Sequence, residues 1–168
     1  MSALWVLRSP DEARTEWIGS QLGRTAEPLA QRALRVLLRG ELGAGKTTLA
    51  RGLLRSLGVQ GPIRSPSYAL LELYPCAPWS VLHIDLFRLR DESEWMQLGL
   101  EDFDRTAHIW LVEWPERAPT RLAYGDLAIA LSVQSDAHRI EMAAGSEPGQ
   151  RWLERAREAG LEPPPVST

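Results

Sequence analysis

The sequence predicts a single α/β domain in which a mixed, mostly parallel central sheet has helices on both faces. Short apolar stretches at residues 33–39, 81–87 and 108–114 have the length and composition of buried strands. Helical patterns alternate with strands in the first half, which favours parallel connections. Two late segments, 126–133 and 138–143, flank a Ser-Asp turn and predict a hairpin, so we expect antiparallel strands at one edge of the sheet.

The first two elements are a strand and a helix. Residues 3–8 alternate loosely between apolar and polar side chains, as a short strand does. Ser9 is the predicted N-cap of the helix that follows, because Pro10 suits the first helical position and Glu12 completes a capping box. The helix is expected to run to about Leu22.

A second helix is predicted from about Lys46 to Leu57, directly after the strand at 33–39. Its leucines recur at helical spacing, and Gly58 stands where a helix commonly ends. A polar loop at 63–67 and a strand at 69–74 complete this part of the chain.

The remaining helices are predicted on either side of the last strands. Residues 91–100 have a helical pattern with Asp91 as its cap, and residues 150–159 form an amphipathic helix. A loose tail at 161–168 follows. We therefore expect one domain over residues 1–145, with 146–168 contributing a C-terminal helix and a Pro-rich tail.

Composition excludes several functional classes. The 168 residues carry a net charge of −3, without the basic surplus of a dedicated nucleic-acid-binding protein. Cys76 is the only cysteine, so no internal disulfide is possible and a reducing compartment fits best. The N-terminus does not resemble a signal peptide, and no apolar run reaches the roughly 20 residues of a membrane span. We expect a cytoplasmic protein without a membrane partner.

Residues 40–47, Gly-Glu-Leu-Gly-Ala-Gly-Lys-Thr, match the Walker A pattern of a phosphate-binding loop. Small residues let the backbone N–H groups wrap a polyphosphate, and the helix N-terminus that follows favours anions. Lys46 is the only lysine among 19 lysines and arginines, and it would reach the β- and γ-phosphates. Thr47 would place its hydroxyl on Mg²⁺. The predicted fold is therefore a P-loop NTPase-like three-layer domain.

Two acids end predicted buried strands and are candidates for the chemistry beside the P-loop. Asp85 follows the apolar residues of one strand and Glu113 those of another. In parallel α/β sheets ligands collect at the carboxyl ends of strands, and Mg²⁺ prefers hard oxygen ligands. One acid could hold the metal and the other could orient or polarise the attacking water. The sequence leaves open which acid does which.

The chain resembles the TsaE (YjeE) family, the small P-loop ATPases of bacterial tRNA threonylcarbamoyladenosine synthesis. Four blocks carry the resemblance, in this order: GELGAGKTTLARGLL at 40–54, SPSYAL at 65–70, HIDLFRL at 83–89 and LVEWPER at 111–117. The first block marks a very large superfamily, whereas the other three at these spacings are specific. The resemblance covers about residues 7–133.

The resemblance implies a role for each matching position. Lys46 and Thr47 would bind phosphate and Mg²⁺, Asp85 would be the Walker B-like acid, and Glu113 with Trp114 would form the acid–tryptophan pair used in hydrolysis. A switch-like loop would comprise Ser65, Pro66 and Ser67. The full set of predicted nucleotide-binding residues is Glu41, Leu42, Gly43, Ala44, Gly45, Lys46, Thr47, Thr48 and Trp114; the predicted catalytic set is Glu113, Asp85 and Lys46, and the predicted metal set is Thr47, Asp85 and Glu113.

The sequence departs from the family pattern at two of these blocks. Phe87 stands where the family often has Tyr, and Ser67 stands where it often has Thr. Ser67 keeps a hydroxyl, whereas Phe87 removes any hydrogen bond that the phenol makes.

The resemblance also implies ATP and Mg²⁺ as cofactors and TsaB and TsaD as partners. In this family, TsaE binds the TsaB–TsaD pair in a nucleotide-dependent way and supports the modification of adenosine 37 in tRNAs that read codons starting with A. Contact with tRNA would be indirect.

Two alternatives use the same P-loop. A small-molecule kinase needs an acceptor site and usually an Arg-rich lid; Arg88 and Arg90 are candidates, but they directly follow the strand that ends at Asp85, and no lid pattern follows Trp114. A module that holds ATP as a switch with little turnover is the other.

Overall fold

The computed structural model describes residues 4–161 and contains one seven-stranded sheet with three α-helices. Three short 3-10 helices cover 92–98, 100–103 and 115–117. The strands are β1 (Trp5–Ser9), β2 (Leu34–Arg39), β3 (Leu71–Cys76), β4 (Trp79–Asp85), β5 (Ile109–Glu113), β6 (Leu127–Val133) and β7 (His138–Ala144), and the α-helices are α1 (Glu12–Thr25), α2 (Lys46–Ser56) and α3 (Glu147–Glu158).

The strands lie in the order β1-β7-β6-β2-β5-β4-β3. The four central strands β6, β2, β5 and β4 are all parallel. Antiparallel strands complete both edges, with β3 on β4 and with β7 and β1 beyond β6. This arrangement confirms the predicted α/β fold class and the predicted β6–β7 hairpin. Antiparallel pairing occurs at two edges, where the sequence predicted one.

Alternation along the central strands divides the core into two layers. In β2, Val36 and Leu38 face the side that carries α1, α2 and α3, where they meet residues such as Leu53 and Trp152. Leu37 faces the opposite side and packs with residues of the 3-10 segments, including Trp95. Both faces of the central strands are therefore buried, which explains why these strands are continuous apolar runs in the sequence.

Helices α1 and α2 pack with their backbones in close approach. A Cβ atom added at Gly52 would lie 1.9 Å from the Glu16 carbonyl oxygen, and one at Gly19 would lie 2.0 Å from the Leu49 carbonyl oxygen. Neither backbone atom could move aside without shifting its helix. These two glycines therefore fix the position of α2, the helix that follows the P-loop.

The start of α1 differs from the sequence prediction. Asp11, not Ser9, is the N-cap, and its carboxylate accepts a hydrogen bond from Arg14 N at 2.8 Å. Ser9 is still in β1 and is fully buried, with its hydroxyl 2.7 Å from that of Thr15. The predicted capping box fails because the strand extends to Ser9 and the helix begins at Glu12.

The segment predicted as a helix at 91–100 is made of 3-10 turns. Asp91 caps the first of them, as predicted, and accepts from Ser93 N at 2.8 Å. Gly99 has a left-handed φ of +63° and separates the first 3-10 helix from the second. Trp95 and Leu100 of the segment are buried against the second face of the sheet, whereas Met96 is exposed.

Helix α3 packs against α1 as part of the same core. Trp152 is fully buried and donates from Nε1 to the Leu22 carbonyl oxygen at 2.9 Å. Leu161 is also fully buried. The rest of the predicted tail, 162–168, lies outside the described residues. Across 4–161, no helix has the length and apolar content required to cross a membrane.

Candidate nucleotide site

The predicted site residues come together at the carboxyl ends of β2, β4 and β5. Register pairs Leu38 with Glu113 and Asp85 with Glu113, so both acids lie at one edge of the sheet beside the P-loop. The cleft there has a volume of about 360 Å³. It is lined by Leu42, Gly43, Gly45, Lys46, Thr47, Thr48, Ser65, Ser67, Asp85, Phe87, Arg88, Glu113 and Trp114.

The P-loop backbone requires glycine at its bends. Gly40 has φ +147°, and a Cβ there would lie 2.4 Å from the Leu131 carbonyl oxygen. Gly45 caps α2 in a left-handed conformation with φ +103°. Ala44 lies beneath the loop, buried, and its carbonyl oxygen accepts from Nδ1 of His138 at 2.8 Å. The loop is thus anchored to β7 on one side and continues directly into α2.

Lys46 is held inside the loop by backbone carbonyls. Its ammonium donates to Gly40 O at 2.6 Å and to Glu41 O at 2.8 Å. Burial lowers the pKa of Lys46 below its usual value, although the nearby carboxylates of Glu113 and Asp85 oppose the shift. A bound phosphate group would replace these carbonyls as an anionic partner of the Lys46 ammonium.

Thr47 and Glu113 are in direct contact. The threonine hydroxyl lies 3.0 Å and 3.2 Å from the two carboxylate oxygens of Glu113, which is only 2% exposed. A hydroxyl and a carboxylate at this separation are hard oxygen ligands of the kind that Mg²⁺ takes beside a nucleotide. The two residues could therefore hold a metal together with phosphate oxygens and water.

Asp85 is joined to the predicted switch loop. One carboxylate oxygen accepts from the Ser65 hydroxyl, and the other accepts from Phe87 N at 2.9 Å. Within the loop, Leu70 N donates to Pro66 O at 2.7 Å, and Leu70 has a left-handed φ of +66°. The loop therefore bends back on itself where it reaches the start of β3, and Asp85 ties its first residue to the end of β4.

Trp114 forms one wall of the cleft. Its backbone has a left-handed φ of +59°, uncommon for a bulky residue, and its N–H donates to Leu38 O at 3.2 Å. The ring lies under the Lys46 ammonium at 4.3 Å and 5.0 Å from the Phe87 ring. This bend aims the side chain across the P-loop and away from the strand direction.

Of the predicted nucleotide-binding residues, five P-loop positions, Thr48 and Trp114 line the cleft. Glu41 contributes its carbonyl oxygen to Lys46, and Ala44 lies beneath the surface. Ser65 and Ser67 line the cleft, whereas Pro66 contributes a carbonyl to the turn of the loop.

The sequence favours structural roles for the histidines, although His83, two residues before Asp85, is a candidate neighbour of the site. His83 is fully buried, and its Nε2 lies 2.8 Å from Oε1 of Glu113. His138 anchors the P-loop through Ala44. The spacing of two residues between His83 and Asp85 on one strand is the signal for His83, since residues two apart share a face of the sheet. Nothing in the sequence pattern points to the role of His138, which depends on the hairpin register.

The donor set fits a magnesium site built in part by the nucleotide. Within residues 4–161 there is no group of three or more His, Cys, Asp or Glu side chains that could hold a metal ion. Mg²⁺ commonly takes one or two carboxylates with substrate phosphates and keeps several waters. The Thr47–Glu113 pair beside a P-loop matches that requirement.

The sequence was compared with known families and proteins. The model of the family described as threonylcarbamoyl adenosine biosynthesis protein TsaE matches residues 9–141. The chain belongs to the TsaE family. The tRNA threonylcarbamoyladenosine biosynthesis protein TsaE of Haemophilus influenzae is 37% identical over 145 residues, covering 86% of this chain and 92% of that protein. The TsaE protein of Streptomyces coelicolor is 33% identical over 139 residues, covering 79% and 92%.

The structural comparison agrees on the fold. The crystal structure of YdiB from Bacillus subtilis superposes with a TM-score of 0.79 at 22% sequence identity, covering 95% of this chain and 97% of that one. The resemblance stated from the sequence motifs is confirmed, and as a TsaE protein the chain is involved in tRNA threonylcarbamoyladenosine biosynthesis.

Proposed function

We propose that this TsaE protein binds and hydrolyses ATP with Mg²⁺. The contact between Thr47 and Glu113 inside the P-loop cleft carries the proposal. A hydroxyl and a buried carboxylate lie together beside Lys46, and this arrangement supports a metal site next to the phosphates of a bound nucleotide. A Gly-rich turn without a ligand has no need for a buried carboxylate at this position.

The contacts of each residue support a particular role in binding the nucleotide and the metal. The backbone N–H groups of the P-loop and the start of α2 would cradle the phosphates, and Lys46 would exchange its two carbonyl partners for phosphate oxygens. Thr47 and Glu113 would hold Mg²⁺, which supplies charge neutralisation on the phosphates when bound. Asp85 would link the nucleotide bound in the site to the conformation of the 65–70 loop through its hydrogen bond with Ser65.

We further propose that the partner of this ATPase is the TsaB–TsaD pair and that tRNA is reached indirectly. The family resemblance supports this assignment, and the net charge of −3 fits a protein that acts on a protein partner. Nucleotide-dependent ordering of the 65–70 loop would connect hydrolysis to the partner, since such loops can change order with the γ-phosphate.

Phosphate release from ATP–Mg²⁺ tests the proposal, measured with the purified protein alone and with TsaB and TsaD added. We expect slow release that changes when both partners are present and is lost in Lys46→Ala. ATP–Mg²⁺ at one hundred times Kd should stabilise the wild type by about 2.7 kcal/mol, and Lys46→Ala should lose this stabilisation.

Each half of the proposal has its own contrary result. An equal stabilisation of Lys46→Ala would contradict the phosphate assignment. Release that ignores both partners, with no co-elution in ATP, would contradict the partner assignment and direct the search to small-molecule phosphate acceptors.

A further inference from the structure

His83 occupies a position that would ordinarily hold an apolar side chain. It lies on β4 between Val81 and Asp85, and these three residues share the face of the sheet that carries the α-helices. Val81 is part of the hydrophobic core there. The imidazole is fully buried, and a buried polar ring costs free energy unless a partner satisfies it.

The partner of this ring is the proposed metal carboxylate. Register pairs His83 with Leu111 and Asp85 with Glu113, so His83 and Glu113 are diagonal neighbours on one face of the sheet. The Nε2–Oε1 distance is 2.8 Å. Since a carboxylate only accepts, Nε2 carries the proton and donates. Among residues 4–161, Nδ1 has no hydrogen-bond partner, so the contact with Glu113 is the hydrogen bond that holds the ring.

The Glu113 carboxylate therefore lies between two donors, of which only one could turn away when a metal binds. Thr47 donates from the P-loop side, and His83 donates from inside the core. If the Thr47 hydroxyl turns to a metal, its proton no longer holds the carboxylate. The hydrogen bond from His83 would remain, because its ring is enclosed by the sheet and the core and cannot turn to another partner.

We propose that His83 is a positioning residue: it orients Glu113 from behind and thereby sets the affinity of the nucleotide site for Mg²⁺. The inference rests on the proposed function, since it takes Glu113 to be a metal ligand. Groups that orient a metal ligand in this way typically change metal affinity or activity by about 10–100-fold when removed.

Nucleotide binding with and without metal tests the role directly. The Kd of ADP is measured in MgCl₂ and in EDTA, and the ratio of the two values gives the magnesium-linked gain. We expect His83→Leu to cut that gain by about 10–100-fold, or abolish it if it is smaller, while the Kd in EDTA stays unchanged. His83→Gln, whose amide can donate from near the Nε2 position, should keep most of the gain.

Two matched controls separate positioning from packing. Val81→Ala opens a cavity on the same strand and face without touching Glu113, so it should lower the melting temperature and leave the magnesium-linked gain intact. His83→Asn stays polar but is too short to reach Glu113, so it should behave like His83→Leu even if the leucine variant folds poorly. In a Glu113→Ala background, His83→Leu should cause no further loss.

The outcomes are decisive for each idea separately. Loss of the gain in His83→Leu and His83→Asn, with retention in His83→Gln and Val81→Ala, supports the positioning role. An unchanged gain in His83→Leu or His83→Asn, or equal losses in His83→Gln and His83→Asn, overturns it. A wild type that binds ADP more tightly with Mg²⁺ but releases no phosphate contradicts the ATPase proposal alone, and the variants still decide the role of His83.

Discussion

Two buried acids at opposite ends of the parallel strands, Asp126 and Glu113, have very different hydrogen-bond and charge partners. Asp126 directly precedes β6 at the amino end of the parallel strands, and Glu113 ends β5 at the carboxyl end. Each is 2% exposed. Both carry a charge that water no longer solvates, so each needs compensation from the protein or from a ligand.

Asp126 is fully compensated by the chain itself. Arg32 donates to both carboxylate oxygens at 2.8 Å, Arg35 N donates at 2.8 Å, and the hydroxyl of Ser146, the N-cap of α3, donates as well. Burial alone would raise the pKa of Asp126, but these hydrogen bonds and the Arg32 charge hold it below its usual value. This acid joins β2, β6 and α3.

Glu113 receives hydrogen bonds from one hydroxyl and one imidazole. Thr47 and His83 contact it, and within residues 4–161 no arginine or lysine lies within 4.0 Å of its carboxylate. Asp126 is thus matched by a cation of the chain in direct contact, whereas Glu113 has only the more distant charge of Lys46. This difference fits the proposed role of Glu113 as a ligand of a metal cation, and variants of the two acids separate a role in stability from a role in function.

Replacing Glu113 by Gln should separate function from stability most strongly. The amide keeps the shape but loses the charge that would hold Mg²⁺, so we expect ATP turnover to fall by about 10²–10³-fold, the range for removing one electrostatic stabiliser of a transition state. The melting temperature should change little, because the amide keeps an acceptor for His83 and no direct ion pair with an arginine or lysine is broken. Phosphate release and thermal melting measure the two effects. A large loss of stability would contradict the distinction.

Asp126→Asn should give the reverse result. Removing one partner of a buried ion pair typically costs 3–5 kcal/mol, and the partial exposure of Arg32 places this pair at about 3 kcal/mol. For a chain of this length the melting temperature should fall by about 6–12 °C. Turnover per folded molecule should match the wild type at a temperature where both are folded. Lost turnover there would show that the two ends of the sheet are coupled.

The Asp126–Arg32 ion pair should also make the stability of the protein depend on pH in the acidic range. Because the folded-state pKa of Asp126 is lowered, its contribution is present above the unfolded value of about 3.8 and is lost as pH falls through the folded value. Denaturant unfolding across this range should show a steeper loss of stability in the wild type than in Asp126→Asn. Parallel curves would argue against a lowered pKa.

The smallest effect concerns Lys46 at alkaline pH. Its pKa is lowered from 10.5 by burial in the free protein, and bound phosphate should raise it again. ATP affinity should therefore weaken as pH rises through the free-protein pKa, and binding there should take up protons. Calorimetry in two buffers of different ionisation enthalpy measures that uptake. Equal heats in both buffers would place the Lys46 ammonium outside the phosphate site.

Sequence reasoning predicted the elements better than their contacts. The strand-end acids and the P-loop could be read from the chain because a run of apolar residues shows where a strand ends. That Thr47 contacts Glu113 and that Asp85 holds Ser65 depends on strand order and register, which periodicity does not encode. His83 could be placed near the site from its spacing to Asp85, but its contact with Glu113 could not, since that partner is thirty residues away on another strand.

Local signals failed where two of them competed. Ser9 and Asp11 both suit a helix cap, and the structure uses Asp11 because Ser9 completes β1. The pattern at 91–100 correctly predicted a helical segment capped by Asp91 but not its type, since the segment is two 3-10 helices separated by Gly99.

The close approach of α1 and α2 at Gly19 and Gly52 has a consequence for how the protein responds to nucleotide. A helix whose backbone touches its neighbour cannot slide or tilt alone, so α2 and α1 must open as one cooperative unit. Amide hydrogen exchange should therefore be slow in both helices and nearly unchanged by ATP, except in the first turn of α2. Apart from the P-loop and that first turn, which would bind the phosphates directly, nucleotide-dependent protection should concentrate in the 65–70 loop, so the conformation of that loop would depend on which nucleotide is bound.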